Sequence, residues 1–237
     1  MAGTLFLIPV ALGNAPWPEF LPAATREAAC RLHHYVVENA KTARAELKRM
    51  QHPVPLQALS IETLPDHPAA ADLDRLLSPV VSGHDMGVMS EAGCPGIADP
   101  GALLVRRAHQ LGIVVRPLVG PCSLLLALMA SGLEGQRFAF HGYLPAREPE
   151  RSKRIAELEK ESRNLKQTQL FIETPYRNAA LFQALLKVCV PATRLCLASD
   201  LTLSSESIVT HRIAEWRQKT PPQLDRRPTV FLILSEG

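Results

Sequence analysis

Ser90-Glu91-Ala92-Gly93-Cys94-Pro95-Gly96-Ile97-Ala98-Asp99-Pro100-Gly101 is the stretch on which the reading of the chain turns. It holds three glycines, two prolines and two carboxylates. Before it stands Met86-Gly87-Val88-Met89, an apolar run that predicts a buried strand. After it, residues 102–111 predict a helix, with Asp99 as N-cap and Pro100 at the first helical position. Good capping chemistry accounts for Asp99-Pro100-Gly101 but not for the run of small and special residues before it. Open α/β sheets place ligands at the carboxyl ends of parallel strands. Glycine, with no Cβ, lets a ligand reach the backbone. The stretch is therefore read as a ligand loop.

Working outward, apolar runs alternate with helical patterns. Residues 4–10, 32–37, 56–59, 86–89, 113–118, 138–141, 168–172, 194–198, 207–211 and 229–234 predict strands. Residues 23–31, 40–50, 69–77, 102–111, 124–131, 147–166, 178–188 and 212–219 predict helices. Asn39 is placed to cap the helix at 40–50, whose outer face is Lys41, Arg44, Lys48 and Arg49. The charges of 147–166 read as a solvated helix with internal ion pairs. The alternation predicts an α/β protein. A second glycine turn, Gly120-Pro121-Cys122-Ser123, marks a boundary between domains at 1–118 and 119–237, with a cleft where their strand-end loops meet.

Composition narrows the function. The chain has 237 residues, 46% hydrophobic and 21% charged, with a formal charge of +3, so an anionic partner is allowed but not required. Aromatics at 5% argue against a base-stacking platform for single strands. The five cysteines form no C-x-x-C, so neither a disulfide framework nor a metal site is expected. Residues 4–12 are apolar but too short for a signal peptide, and no apolar run reaches membrane-spanning length. A reducing cytoplasm is the expected location.

The strand-end loops at Gly13-Asn14, 90–101 and 120–123 contain neither dinucleotide nor P-loop glycine patterns, and no lysine or arginine. That favours a zwitterionic or neutral ligand. Glu91 would take an ammonium group, and backbone N–H groups at a helix start would take a carboxylate. Ser123 and Ser205 have no base identifiable by spacing. Glu173, Arg177, Asp200 and Glu206 follow predicted strands and point to the same cleft.

The same residues resemble a known family. The 90–101 loop is similar to the S-D-A-G-T-P-G-I-S-D-P-G signature of the tetrapyrrole methylase superfamily, and in particular to its ribosomal RNA small subunit methyltransferase I branch. Residues 4–14 resemble that family's opening strand and G-N turn. Val119-Gly120-Pro121-Cys122-Ser123 resembles V-P-G-P-S, Phe140-His141-Gly142-Tyr143-Leu144-Pro145 resembles F-x-G-[FY]-L-P, and Glu173-Thr174-Pro175-Tyr176-Arg177 resembles E-S-P-H-R. The five matches occur in the family's order.

The resemblance implies two α/β domains, S-adenosylmethionine in the cleft between them, a homodimer, and methyl transfer to a ribose 2′-hydroxyl of small-subunit ribosomal RNA. A tetrapyrrole or other small-molecule acceptor, or cofactor binding without catalysis, are the alternatives. By family position Pro9, Ser90, Glu91, Ala92, Gly93, Ser123, Ile172, Glu173 and Ala198 would line the cofactor site. Glu38, Glu173 and Asp200 are the candidate catalytic carboxylates, and Lys41 and Arg177 would orient RNA phosphate. The chain departs from the family at two turns. E-D-T-R is here Glu38-Asn39-Ala40-Lys41, and R-E-L-T-K is Ser199-Asp200-Leu201-Thr202-Leu203.

Overall fold

The computed structural model describes residues 2–236. It divides into two units, Met1–Cys122 and Ser123–Gly237. In the first, β1 (Thr4–Leu7), β2 (His34–Val37), β3 (Ser60–Thr63), β4 (Met86–Met89) and β5 (Val114–Pro117) form a parallel sheet in the order β3-β2-β4-β1-β5. Its central strands are apolar on both sides because helices cover both faces. Phe6, Tyr35, Val37 and Met89 pack in one cluster with Phe20 of α1 (Trp17–Phe20), Ala29 of α2 (Ala23–Ala29) and Ala43 and Leu47 of α3 (Ala40–Arg49). Leu5, Val36, Met86 and Val88 pack on the other face with α4 (Ala70–Val81) and α5 (Ala102–Gln110), through Leu73, Leu77, Leu104 and Ala108.

This wiring gives β4 a special place. Its neighbours β1 and β2 lead to α2 and α3 on one face, whereas β4 itself leads to α5 on the other. Connections that diverge to opposite faces leave a crevice at the carboxyl ends of the strands, and this is where α/β sheets bind ligands. The 90–101 loop begins there.

Several predicted elements shift. The first strand stops at Leu7; Pro9 cannot donate to a ladder, and Val10 makes an isolated antiparallel bridge with Gly93 instead. Residues 56–59 are not a strand. Pro55 leads into a single 3-10 turn at Leu56–Ala58, and the edge strand follows at Ser60–Thr63. The helix expected to end at Leu77 runs to Val81 through Pro79, because Leu73, Leu76, Leu77 and Val80 all bury. Asp99 does not cap α5. Gly101, with φ of 130°, is the N-cap, and Pro100 lies before the helix. The cap of α3 is as expected: the Asn39 side chain accepts from Lys41 N at 2.9 Å and Thr42 N at 3.3 Å.

In the second unit, β6 (Phe138–Tyr143), β7 (Thr168–Ile172), β8 (Arg194–Ser199), β9 (Ser207–Arg212) and β10 (Thr229–Leu234) form a mixed sheet in the order β6-β7-β10-β8-β9. Only β6 and β7 pair parallel; β10 runs antiparallel to β7 and β8, and β8 to β9. The strict strand–helix alternation therefore fails at the β8–β9 turn, which has no helix. Phe171, Leu197, Phe231 and Ile233 form one core face with Ile155 and Leu158 of α7 (Glu150–Leu165) and Leu181 and Leu185 of α8 (Asn178–Val188). The Phe171 and Phe231 rings stack at 6.0 Å. Helix α6 (Ser123–Ser131) packs on β8, β9 and β10.

Helix α7 carries internal ion pairs as expected, Arg154–Glu161 at 3.1 Å and Arg154–Glu157 at 3.2 Å, and its Arg151 pairs at 2.8 Å with Glu148, which precedes the helix. Glu159 is the exception. It is buried, and accepts from Thr193 Oγ1 at 2.5 Å and Val190 N at 2.8 Å.

Candidate functional site

Ser90 is buried at the end of β4, and its hydroxyl donates to Ala92 O at 3.2 Å. Glu91 and Ala92 are exposed, and Gly93 turns with φ of +70°. Val10 N donates to Gly93 O at 2.9 Å, so the loop after β1 holds the loop after β4. Pro9 is buried against Gly120, where an added Cβ would lie 2.3 Å from the Pro9 Cβ. This close approach is what requires glycine in the second turn. A Cβ on Gly96 would meet nothing nearer than 3.9 Å, so the space beside the loop is open.

Glu38 reaches the same loop from β2. Its backbone N donates to Met89 O at 3.1 Å, and its Oε2 accepts from Glu91 N at 2.9 Å. The Glu91 carboxylate meets the Thr42 hydroxyl at 3.4 Å. Glu38, Glu91 and Asp99 thus form one acidic group. Burial first, then the charges of Glu38 and Glu91, push the Asp99 carboxyl up to about 6, against the pull of a Ser90 hydrogen bond. Sequence spacing points to Asp99 as a cap; its part in this group depends on loop packing that spacing does not reveal. Lys41 is exposed in the first turn of α3. The outer basic face loses one member, because Arg49 is half-buried and donates to Gly13 O at 3.2 Å and to Ala15 O. It clasps the proline-rich segment rather than facing solvent. The Cys94 thiol donates to Pro121 O at 3.3 Å and is pushed up by a hydrogen bond with Cys122 and by burial.

In the second unit, Ile172 and Ala198 both pair with Val230 of β10, so they share one row and one face of the sheet. Ser123 opens α6. Glu173 follows β7 and is buried. Its Oε1 accepts from Thr174 N and from Arg177 Nη2, each at 2.6 Å. Its Oε2 is buried with no partner among the described residues. Asn178, fully buried, donates to Arg227 O at 2.8 Å, and its Oδ1 has no partner among the described residues; no sequence signal points to it.

Asp200 sits in the left-handed region with φ of 52°. Its Oδ2 accepts from Arg227 Nε at 2.7 Å and Ser205 Oγ at 2.9 Å. Ser205 thus has a carboxylate neighbour that spacing did not identify. Glu206 accepts from Thr202 N at 2.8 Å and closes the β8–β9 turn.

No family model matches the chain. A Pseudomonas aeruginosa protein named ribosomal RNA small subunit methyltransferase I is 34% identical over 217 residues, covering 90% of this chain and 72% of that protein. Its Escherichia coli O157:H7 namesake is 30% identical over 235 residues, covering 99% and 78%. A Vibrio cholerae namesake is 38% identical over 152 residues, and the match spans 51% of it. Among solved structures, the methyltransferase CobJ has a TM-score of 0.64 at 18% identity, covering 99% of this chain and 95% of its own. The cobalt precorrin-4 methyltransferase CbiF has 0.61 at 14%, covering 98% and 94%. These two likenesses speak to the fold, which is that of the tetrapyrrole methylases; the sequence identities with the bacterial relatives go further, and by them the chain belongs to the ribosomal RNA small subunit methyltransferase I family.

Proposed function

We propose that the chain is an S-adenosylmethionine-dependent methyltransferase whose acceptor is a ribose 2′-hydroxyl of small-subunit ribosomal RNA. The observation that carries this reading is the 34% identity to a protein of that name across nine-tenths of the chain. The geometry supports a small ligand without phosphates. The loop at the crevice after β4 offers backbone groups and open space beside Gly96, and Glu173 keeps an unpartnered buried oxygen. In this reading Pro9, Ser90, Glu91, Ala92, Gly93, Ser123, Ile172, Glu173 and Ala198 are the residues proposed to contact the cofactor.

Bound S-adenosylmethionine supplies an electrophilic methyl group on a sulfonium. The chain's own residues have to orient the hydroxyl, exclude water and take up its proton. Glu38, Glu173 and Asp200 are the candidates for the last task. Asp200 is the least suited, since Arg227 and Ser205 already occupy its Oδ2. Glu38 is engaged by Glu91 N through one oxygen. Lys41 is exposed and suited to a phosphate. A homodimer in the cytoplasm completes the proposal; no helix among the described residues is long and apolar enough to cross a membrane.

The test is transfer of labelled methyl from S-adenosylmethionine to small ribosomal subunits from a strain lacking the endogenous enzyme. Label on a ribose, with RNA binding that weakens steeply with salt, is expected. The fold likeness to CobJ and CbiF favours a second reading, a tetrapyrrole acceptor. Label that appears only in a pigment, with salt-insensitive acceptor binding, would replace the first reading by the second.

A further inference from the structure

Two thiols meet beside the glycine-rich loop. Cys94 lies in that loop and Cys122 in the second glycine turn, and each is half-buried, within reach of a small solute. The Cys94 thiol donates to Pro121 O, one peptide bond from Cys122, at 3.3 Å. The Cys94 and Cys122 side chains also share a hydrogen bond. A thiol has one proton. With that of Cys94 spent on Pro121 O, its sulfur is the acceptor of the shared bond and Cys122 the donor. The backbone keeps the two together. Gly93 O is held by Val10 N at 2.9 Å, Gly120 packs on Pro9, and a Cβ on Gly93 would lie 3.6 Å from Pro121 O. The other cysteines face other groups: Cys30 turns to Met50 O at 3.6 Å, Cys189 to Glu159 and Cys196 to Thr210. The signature S-D-A-G-T-P-G has threonine where this chain has Cys94, so the pair is a feature of this chain rather than of the signature.

We propose that Cys94 and Cys122 are a site of oxidative modification, at which hydrogen peroxide converts the two thiols into a disulfide that ties the loop after β4 to the second glycine turn. One sulfur, as thiolate, attacks the peroxide. An S–O bond forms, the O–O bond breaks, and the leaving hydroxide takes up the thiol's proton and departs as water. The second sulfur then attacks the sulfenic sulfur. The S–S bond forms, the S–O bond breaks, and hydroxide leaves with the second proton as water. The two thiols together give up two electrons and two protons, and one peroxide is reduced to two waters. The hydrogen bond with Cys122 and burial push the Cys94 thiol up, so the first attack is slow. The second joins sulfurs already in contact and needs no encounter. In a reducing cytoplasm such a bond is a transient redox response rather than a structural staple. Closing the pair to the covalent length of about 2.05 Å draws the loop and the turn together. Gly93 and Ser123, the neighbours of the two cysteines in the chain, are among the proposed cofactor contacts, so the disulfide weakens cofactor binding. That consequence rests on the methyltransferase reading above; the disulfide itself does not.

The test takes the full-length chain, reduced and then separated from reductant, and treats it with hydrogen peroxide. Its intact mass is expected to fall by about 2 Da, reversibly with dithiothreitol, and proteolysis to release one peptide pair joined through Cys94 and Cys122. A gain of oxygen in place of that loss, an unchanged mass, or a disulfide through another cysteine overturns the inference. Cys94→Thr, which installs the signature's residue, is expected to lose no hydrogen under the same treatment, and a persisting fall of about 2 Da would overturn the inference as well. The peptide map of the wild-type chain decides the site if the variant does not fold. Calorimetric titration with S-adenosylhomocysteine reads the consequence. A dissociation constant at least tenfold weaker in the oxidised protein is expected, restored by dithiothreitol and insensitive to peroxide in Cys94→Thr. A constant within twofold of that of the reduced protein would overturn the coupling of the disulfide to the ligand loop. Reduced wild-type protein that gives no heat with S-adenosylhomocysteine would remove the methyltransferase reading, while the mass and the peptide map would still decide the disulfide.

Discussion

The two units treat their strand-end carboxylates in opposite ways. In the first, Glu38, Glu91 and Asp99 gather around one loop with hydroxyl and backbone N–H partners, and burial, followed by the like charges, pushes the Asp99 carboxyl up to about 6. In the second, Glu173 and Asp200 each take an arginine at 2.6–2.7 Å, Arg177 and Arg227. A crowded acidic group is short of positive charge, and burial with like charges nearby disfavours ionisation of its most buried member, Asp99. An arginine-paired carboxylate is fixed in place and has direction. The difference teaches which side is adaptable and which is set: the first unit's loop offers a field, the second unit's turns offer aimed atoms.

The largest expected effect is on the set side. Arg227→Met leaves Asp200, whose side chain is 10% exposed, with Ser205 alone, and is expected to cost about 3 kcal/mol in urea unfolding. A loss well below 1 kcal/mol would place the pair with ordinary surface ion pairs and erase the contrast between the units. Next, Asn39→Ala removes the cap that holds the first turn of α3, from which Thr42 reaches Glu91; a loss of about 1 kcal/mol is expected by the same measurement.

The smallest effect concerns the acidic group and has the opposite sign. The folded-state pKa of Asp99 lies above its ordinary 3.8, so the fold disfavours the charged form. The contribution of Asp99 to stability is then most favourable below about pH 4, declines as pH rises to about 6, and stays at the lower level above that. Asp99→Asn is expected to raise stability at pH 7–8 by about 0.5–1 kcal/mol, with solvent screening of a half-buried group allowed for, and to leave it unchanged near pH 4. Melting temperatures across pH 4–8 would show it. Equal gains at both ends would mean that packing, not charge, sets the behaviour of Asp99.

Much of the architecture could be read without coordinates. Residues 86–89, 168–172 and 229–234 were delimited as strands and 178–188 as a helix, because continuous apolar runs and helical spacing are local signals. The misplaced elements share a cause. Leu56 and Leu59 look like strand residues, but Pro55 starts a turn there and the polar Ser60–Thr63 pairs instead, drawn in by its neighbour β2. Pro79 looks like a stop, but the core contact of Val80 carries the helix past it. The site divides in the same way. The glycine loop was visible in composition. The clasp of Arg49 on Gly13 and Ala15, the acidic role of Asp99 and the pairing of Asp200 with Arg227 join residues too far apart in sequence for spacing to report.

Sequence alone determined the α/β class, the glycine-rich loop after Met89 and, through ordered motifs, the family. These depend on residue types at short range, where sterics and burial act directly on the chain. Tertiary structure decided the parallel order of one sheet and the mixed order of the other, the divergence of the helices around β4, and which oxygen of Glu173 is spent and which is spare. Those outcomes depend on which distant donors reach a buried group, and a buried carboxylate's chemistry is set by its partners rather than by its identity.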